Sequence, residues 1–260
     1  MFHRLDRLEF KFMIPTSTRD EVIEEVVKHT GVDTEASQSG SYPIISQYYD
    51  NIQRDSYWEK QRKQHSRRKL RVRVYGSEGE SIPPTTFIEV KHKQNGRGVK
   101  RRLRLSKEEA LQLAEEGTII PTSSRRDRMI VQEISDLIHK RNFKFLCTMR
   151  YDRQAFIGDA ESPDLRVTFD TGIACRFEQL DLQANDQRFE HYIVPKDQCI
   201  MEVKTNTVIP IWLRNLIGDQ GMTRQSYSKF CTALEKHDPV LRRTLFGHTP
   251  KTCNLPVHIS

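Results

Sequence analysis

Five stretches of the chain alternate between apolar and charged residues, which is the pattern of a β-strand with one covered face and one polar face. The clearest runs from 68 to 75 and reads Arg-Lys-Leu-Arg-Val-Arg-Val-Tyr, so that every polar side chain on it is cationic. The others are residues 8–12, 87–93, 99–105 and 201–204. The pattern therefore predicts several strands that each carry positive charge on one side.

Like charges on neighbouring strands of one sheet repel each other. This arrangement is reasonable if the charged faces converge on a polyanion. An α+β fold would meet that need, with a closed antiparallel β-barrel that has a charged lumen and an apolar outside covered by helices. The alternative for any single strand is a face in contact with solvent. Because the alternation of apolar and charged residues recurs in five strands, we favour a polyphosphate-binding tunnel.

The remaining periodicity predicts further strands and helices around this core. The additional strands are predicted at 44–50, 145–156, 165–169, 173–177 and 200–205. A tight turn at 170–172 is expected to join two of them, and a turn at 95–98 to close a hairpin. The helices are predicted at 18–30, 54–62, 127–140, 210–218 and 224–236, with one more that Ser106 caps and that carries Ala110, Leu111, Leu113 and Ala114. We interpret 1–237 as one domain and 238–260 as a poorly ordered C-terminal tail; residues 178–197 show little periodicity.

The net charge of the 260-residue chain is +7, from 42 basic and 35 acidic residues, which favours anionic partners. Nucleic acid is the usual interpretation of such a charge. Here the basic residues recur at the period of a strand, so we expect a focused site and no nucleic-acid partner.

The five cysteines are odd in number and widely spaced, which argues against a zinc site or a disulfide framework. Reduced thiols predict a cytoplasmic protein. The chain has neither an apolar signal segment nor a run of 18 apolar residues, so direct membrane insertion is not expected. Peripheral association through a membrane-protein partner is left open.

Glutamates on the cationic faces are candidates for metal binding. Glu9, Glu89 and Glu202 each stand two residues before a lysine and share its side of the strand. A carboxylate in a cationic tunnel is useful as an oxygen ligand for Mg²⁺ or Mn²⁺. The alternative is that each one is a counter-ion for its neighbouring lysine. The sequence shows neither a Ser/His/Asp nor a Cys/His constellation.

The ordered motifs resemble the vacuolar transporter chaperone (VTC) catalytic domain of polyphosphate polymerases, within the triphosphate tunnel metalloenzymes. The motifs that carry the resemblance are residues 7–11, 48–50, 69–73, 88–91, 151–156, 165–171, 201–204 and 228–231. The resemblance implies transfer of the terminal phosphoryl group of ATP to a growing polyphosphate chain. ATP and inorganic polyphosphate would then be the partners, with Mn²⁺ or Mg²⁺ as cofactor.

The resemblance also implies roles for individual residues. The cations expected to act in catalysis are Arg71, Arg73, Lys91, Arg153, Arg166 and Lys204. The expected phosphate-binding set, part of it from the strand alternation, is Lys11, Lys69, Arg102, Arg104, Ser228 and Lys229. Glu202 is the expected metal ligand, with Glu9 and Glu89 as further candidates.

Two other functions remain open at this point. One is a tunnel triphosphatase that hydrolyses inorganic triphosphate or a nucleoside or thiamine triphosphate. Its relatives carry a Glu-x-Glu-x-Lys motif on the first strand, where this chain has Arg7 in place of the first glutamate. The other is a non-catalytic module that binds RNA or polyphosphate. The chain lacks the aromatic residues interleaved with basic ones that single-strand binders show.

Overall fold

The computed structural model describes residues 8–32, 41–76, 85–95, 97–206 and 208–246. Within these ranges the chain forms one antiparallel sheet with helices packed against it. The strands are β1 Leu8–Pro15, β2 Thr30–Val32, β3 Ser41–Asp50, β4 Ser66–Tyr75, β5 Thr85–Gln94, β6 Arg97–Leu105, β7 Lys144–Gly158, β8 Arg166–Arg176, β9 His191–Tyr192 and β10 Gln198–Thr205. The helices are α1 Thr16–Val27, α2 Asp55–Gln61, α3 Lys107–Glu116, α4 Arg125–Arg141, α5 Ile211–Asp219, α6 Lys229–His237 and α7 Pro239–Phe246.

The strands pair in the order β1-β10-β8-β7-β3-β4-β5-β6, with β2 beside β7 and β9 beside β8. In the described residues β1 and β6 form the two ends of this path and do not pair with each other. The sheet nevertheless curls, because Lys91 Nζ on β5 lies 4.0 Å from Glu9 Oε2 on β1. The antiparallel α+β class is therefore confirmed, while closure into a barrel stays a prediction.

The outer face of the sheet is apolar and covered by helices. One cluster packs under α3 and α4 and includes Leu70, Val72, Val74, Ile88 and Val90. A second packs under α1 and α5 and includes Val167, Phe169, Met201 and Val203. Burial of these branched side chains is the main force that holds the helices on the sheet.

The inner face is divided between an apolar part and a charged part. A third cluster fills the apolar part and includes Ile44, Tyr48 and Met149 of the sheet with Phe230 and Leu234 of α6. The ring centres of Tyr48 and Phe230 lie 5.2 Å apart. The alternation of β4 and its neighbours puts the basic residues on this same face. Helix α6 thus packs inside the curl of the sheet, beside the charged residues.

Strand β8 differs from the prediction of two strands joined by a turn. It runs unbroken from Arg166 to Arg176, and Gly172 within it has a φ of +58°. The pairing with β7 shifts register between Arg150 and Asp152. A positive φ, which glycine adopts without steric cost, lets the strand form a bulge without reversing direction.

The last predicted helix begins later than expected. Ser228 caps α6 by accepting a hydrogen bond from the Cys231 N–H, so the helix starts at Lys229 and not at 224. The preceding segment is held to β1, where the Gln225 N–H donates to the Lys11 carbonyl at 2.8 Å. Lys229 therefore sits in the first turn of a helix whose position on the inner face is fixed.

Residues 239–246 form helix α7, which corrects the expectation of a poorly ordered tail for that part. Leu241 is buried in the inner apolar cluster. The carboxylate of Asp238, which precedes α7, accepts from both Arg54 Nε and Arg54 Nη2. Residues 247–260, like the predicted turn glycine Gly96 and the motif residue Arg7, lie outside the described residues. None of the helices in the described part has the length and apolar character needed to cross a bilayer.

The Arg54–Asp238 pair generates a stability prediction, because Asp238 is fully buried. Asp238→Ala should lower the free energy of unfolding by about 3 kcal/mol, since it leaves the Arg54 guanidinium buried without a counter-ion. Urea denaturation measures this change. Asp136→Ala is the matched control: Asp136 pairs with Lys140 at an exposed site, where the loss should stay below about 1 kcal/mol. Equal losses in the two variants would contradict the prediction.

Candidate functional site

Cross-strand register places the basic residues of β4, β5 and β6 in rows on the inner face. Residues that face each other in antiparallel strands point to the same side of the sheet. Three rows of three result, and they are Lys69, Lys91 and Lys100; Arg71, Glu89 and Arg102; and Arg73, Phe87 and Arg104. Only the middle row contains a carboxylate. Three strands therefore present seven cations and one anion to the same space.

Strands β1, β10, β8 and β7 form the other half of the inner face. Their rows are Glu9, Lys204 and Arg166; Lys11, Glu202 and Thr168; and Asp170 with Arg153. Lys229 enters from α6 and donates to Asp170. Counted over both halves with Lys229, the rows contain twelve basic and four acidic side chains.

Asp170 is the counter-ion at the centre of this face. Arg153 donates to both of its oxygens, at 2.6 and 2.7 Å, and Lys229 Nζ donates at 2.6 Å. Burial alone would raise the pKa of Asp170, but these two cations outweigh burial and hold the pKa at about 2. Asp170 therefore stays ionised and fixes Arg153 and Lys229 in place.

Glu89 has the same function for Arg71. It is 1% exposed, accepts from Arg71 Nε at 2.6 Å and lies 3.5 Å from Lys100 Nζ. Burial would raise its pKa, yet Arg71 and Arg73 shift the pKa well below the usual range. Arg71 also donates to the Tyr48 hydroxyl at 3.1 Å. The geometry of Glu89 is thus that of a counter-ion, and its expected metal role stays a prediction.

Glu9 and Glu202 converge on a single lysine. Lys11 Nζ contacts Glu9 directly and lies 3.6 Å from Glu202, which is also in contact with Lys204 Nζ. Burial lowers the pKa of Lys11 to about 8, although Glu202 opposes this shift. Lys204 and Lys11 hold the pKa of Glu202 well below its usual range, against the effect of burial.

The donor set around Glu202 fits a divalent cation that arrives with phosphate. In the described residues no three His, Cys, Asp or Glu side chains are grouped as a complete protein-made metal site. Mg²⁺ commonly takes only one or two protein carboxylates and completes its shell with water and substrate phosphates. Glu202 and Glu9, both near Lys11, supply that number.

Two cations of the inner face have only neutral partners. Arg73 is 5% exposed and donates to Ser46 Oγ at 2.9 Å and to the Tyr151 hydroxyl at 3.0 Å. Lys69 donates to Ser228 Oγ at 3.3 Å and lies 4.5 Å from the centre of the Phe230 ring. Among the described residues no carboxylate lies within ion-pair distance of either one. Removing a cation from water without an anion is costly. Arg73 is buried and Lys69 is partly buried, so these two residues indicate an anionic ligand.

The structure brings the predicted site residues of the described ranges together on the inner face or at the start of α6. Arg102 and Arg104 are exposed on the edge strand β6, where Arg102 lies over the Phe87 ring. Their roles stay predictions. Sequence reasoning missed Ser46, Tyr48, Tyr151 and Lys100 as site residues. Two of them stand close to predicted cations in the sequence: Tyr151 is two residues before Arg153, and Lys100 is two residues before Arg102.

Comparison with known proteins places these observations in a family. The chain matches the VTC domain over residues 6–237. No curated protein matches it. Two solved structures are similar over most of their length. A candidate adenylate cyclase from Bacillus halodurans is 14% identical with a TM-score of 0.49, covering 85% of this chain and 93% of that one.

The second structure is HpAC1 from Hippeastrum, named as a candidate adenylyl cyclase with a dominant triphosphatase activity. It is 13% identical with a TM-score of 0.48, covering 88% of this chain and 95% of that one. The match to the VTC domain extends over most of the sequence and over both halves of the inner face. This chain belongs to the VTC domain family.

Proposed function

We propose that this domain transfers the terminal phosphoryl group of ATP to an inorganic polyphosphate chain bound on the inner face. The observation that carries the proposal is the excess of cations there, above all Arg73 and Lys69, which have neutral partners only. Membership of the VTC domain family supports it. ATP and polyphosphate are the proposed partners, and Mn²⁺ or Mg²⁺ the proposed cofactor.

The rows suit a ligand with regularly repeated negative charge. Successive rows on one strand are separated by two residues, which is about 6.6 Å. A polyphosphate lying along β4 would meet Arg73, Arg71 and Lys69 in turn, with Lys91 and Lys100 beside it. Arginine can bind two phosphate oxygens at once and stays protonated, whereas lysine supplies a mobile point charge.

Phosphoryl transfer requires from the protein mainly position and neutralisation of charge. Negative charge spreads over the oxygens of the transferred group, and cations that are already oriented stabilise it without reorganising. Glu89 and Tyr48 fix Arg71, and Asp170 fixes Arg153 and Lys229. The buried carboxylates thus hold the cations in position, and the uncompensated cations supply the charge.

Glu202, together with Glu9, would hold the divalent cation, which neutralises phosphate charge and orients the transferred group when bound. Lys11 and Lys204 contact these carboxylates. Both lysines can turn toward phosphate instead, because a lysine side chain is long and flexible.

One incubation of the protein with ATP and Mn²⁺, with products separated on a gel, tests the function. A ladder of polyphosphate chains together with ADP supports the polymerase. Hydrolysis of triphosphate or ATP to free phosphate without chain growth would instead identify a triphosphatase. Binding of polyphosphate without any turnover would leave a non-catalytic module.

Arg73→Ala should lower turnover of ATP by about tenfold or more while the protein stays folded. The change removes a charge-assisted contact of about 1.5–3 kcal/mol to the transferred or bound phosphate. Steady-state kinetics and circular dichroism measure the two effects. Arg125→Ala, at an exposed site in the first turn of α4, is the control. Full activity of Arg73→Ala would refute the assigned role.

Glu202→Gln separates the metal role from the counter-ion role. As a metal ligand, Glu202 is needed for turnover, so Gln should reduce ATP turnover severely while polyphosphate affinity persists. As a counter-ion only, its loss would leave Lys11 and Lys204 with excess charge, and affinity would hold or increase without loss of turnover. Turnover across a metal titration, with affinity measured separately, distinguishes the two. Retained turnover with unchanged metal dependence would exclude the metal role.

Lys11 makes polyphosphate binding depend on pH. Its pKa of about 8 in the free protein means that the attractive ammonium form is lost as pH rises above that value. A bound polyanion raises this pKa, so affinity should be full below about pH 8 and decline above it. Lys11→Arg should remove the part of the decline centred near the Lys11 pKa, because a guanidinium stays protonated. Identical pH profiles for the two proteins would show that Lys11 does not meet the ligand.

A further inference from the structure

The basic column of the inner face continues beyond the site described above. Arg67 stands two residues before Lys69 on β4, and Lys93 stands two residues after Lys91 on β5. The two lie opposite each other, and Lys93 in turn lies opposite Gly98. Because side chains return to the same face every second residue, Arg67 and Lys93 extend the inner rows by one. We call Arg67 and Lys93 the mouth row.

In the described residues the row next to the mouth row is cationic on both strands, with Lys69 and Lys91, and Glu9 lies 4.0 Å from Lys91 Nζ. Among the described residues, no carboxylate lies within ion-pair distance of Arg67 or Lys93. Arg67 Nε is buried and makes no hydrogen bond within the described chain. Partial burial, and then the charges of Arg67 and Lys91, lower the pKa of Lys93. Burial, and to a smaller extent the charge of Lys60 on α2, also lowers the pKa of Lys69 in the adjacent row.

Exposure increases along β4 and β5 toward this end. Arg73 and Glu89 are 5% and 1% exposed, whereas the side chain of Lys91 is 55% exposed and Lys93 is exposed as well. The edge strand β6 differs, because Lys100, Arg102 and Arg104 are all exposed. Along β4 and β5 the rows therefore lead from a buried interior to solvent, and the mouth row lies where they open. From Arg73 to Arg67 the column is about 20 Å long, at roughly 3.3 Å per residue.

We propose that the mouth row binds the segment of a polyphosphate chain that extends beyond the inner rows. The inference rests on the proposed function and adds to it a preference for long chains over triphosphate. Three linked phosphates are shorter than the column and leave the mouth row unoccupied, whereas a longer chain reaches it. The row itself carries only basic side chains and offers no aromatic ring on which a base could stack, which favours polyphosphate over single-stranded nucleic acid.

The test is the dependence of affinity on chain length. Dissociation constants for triphosphate and for long-chain polyphosphate are measured by calorimetry in the wild type and in the double variant Arg67→Gln/Lys93→Gln. The variant should bind long chains roughly fivefold more weakly, the scale of two exposed charge contacts. Its affinity for triphosphate should change less than about twofold. The salt dependence of long-chain binding should also become shallower, because fewer counterions are released.

The control is Arg125→Gln/Arg126→Gln, which removes the same charge from exposed positions on α4, a helix of the outer face. The inference is overturned if this control weakens long-chain binding equally, or if the mouth-row variant loses triphosphate affinity in the same proportion. Tighter binding of a single-stranded oligonucleotide than of polyphosphate of equal charge would also overturn it. If wild-type protein binds neither triphosphate nor polyphosphate, the proposed function itself fails. If it binds both equally well, only the mouth row fails.

Discussion

The stability of this fold depends on whether one face of the sheet can accommodate many positive charges side by side. Lys69, Lys91 and Lys100 are direct cross-strand neighbours without an acidic residue between them. Their mutual repulsion opposes pairing of the strands, and burial lowers the pKa of Lys69. The apolar clusters of the outer face offset this cost by holding the strands under the helices. A bound polyanion would relieve the repulsion directly, so in this account ligand binding and fold stability are coupled.

The four inner carboxylates serve two different purposes. Asp170 and Glu89 are almost fully buried and orient arginines, whose rigid guanidinium groups they hold in fixed positions. Glu202 and Glu9 are paired only with lysines, which can exchange a carboxylate for a phosphate with little rearrangement. The first pair therefore shapes the site, while the second pair is the one from which a metal can take its ligands.

The alternation of residues predicts the long strands, the polar face and most of the strand cations on it, because period two determines the direction of a side chain locally. It misses the short strands β2 and β9, the first of which overlaps the end of a predicted helix. It could not show which cations are paired. The partners of Arg153 and Lys229 depend on Asp170, which is distant in sequence, and on the cap at Ser228 that sets the start of α6. Closure of the sheet into a barrel cannot be predicted from local sequence either, because it depends on how far the whole sheet curls. The sequence predicts a turn at Gly172 where the structure has a bulge, because a glycine with positive φ suits both.

Uncompensated charge on the inner face is expected to cost stability, and a bound polyanion is expected to relieve that cost. Lys69→Met tests this expectation most directly, because Lys69 lies against Phe230 and Cys231, where a methionine of similar length can pack. Thermal unfolding is measured with and without long-chain polyphosphate at low and high salt. We expect a higher Tm for the variant without ligand, and a smaller rise on adding polyphosphate than in the wild type. A variant that is less stable alone, yet stabilised equally by polyphosphate, would contradict this expectation.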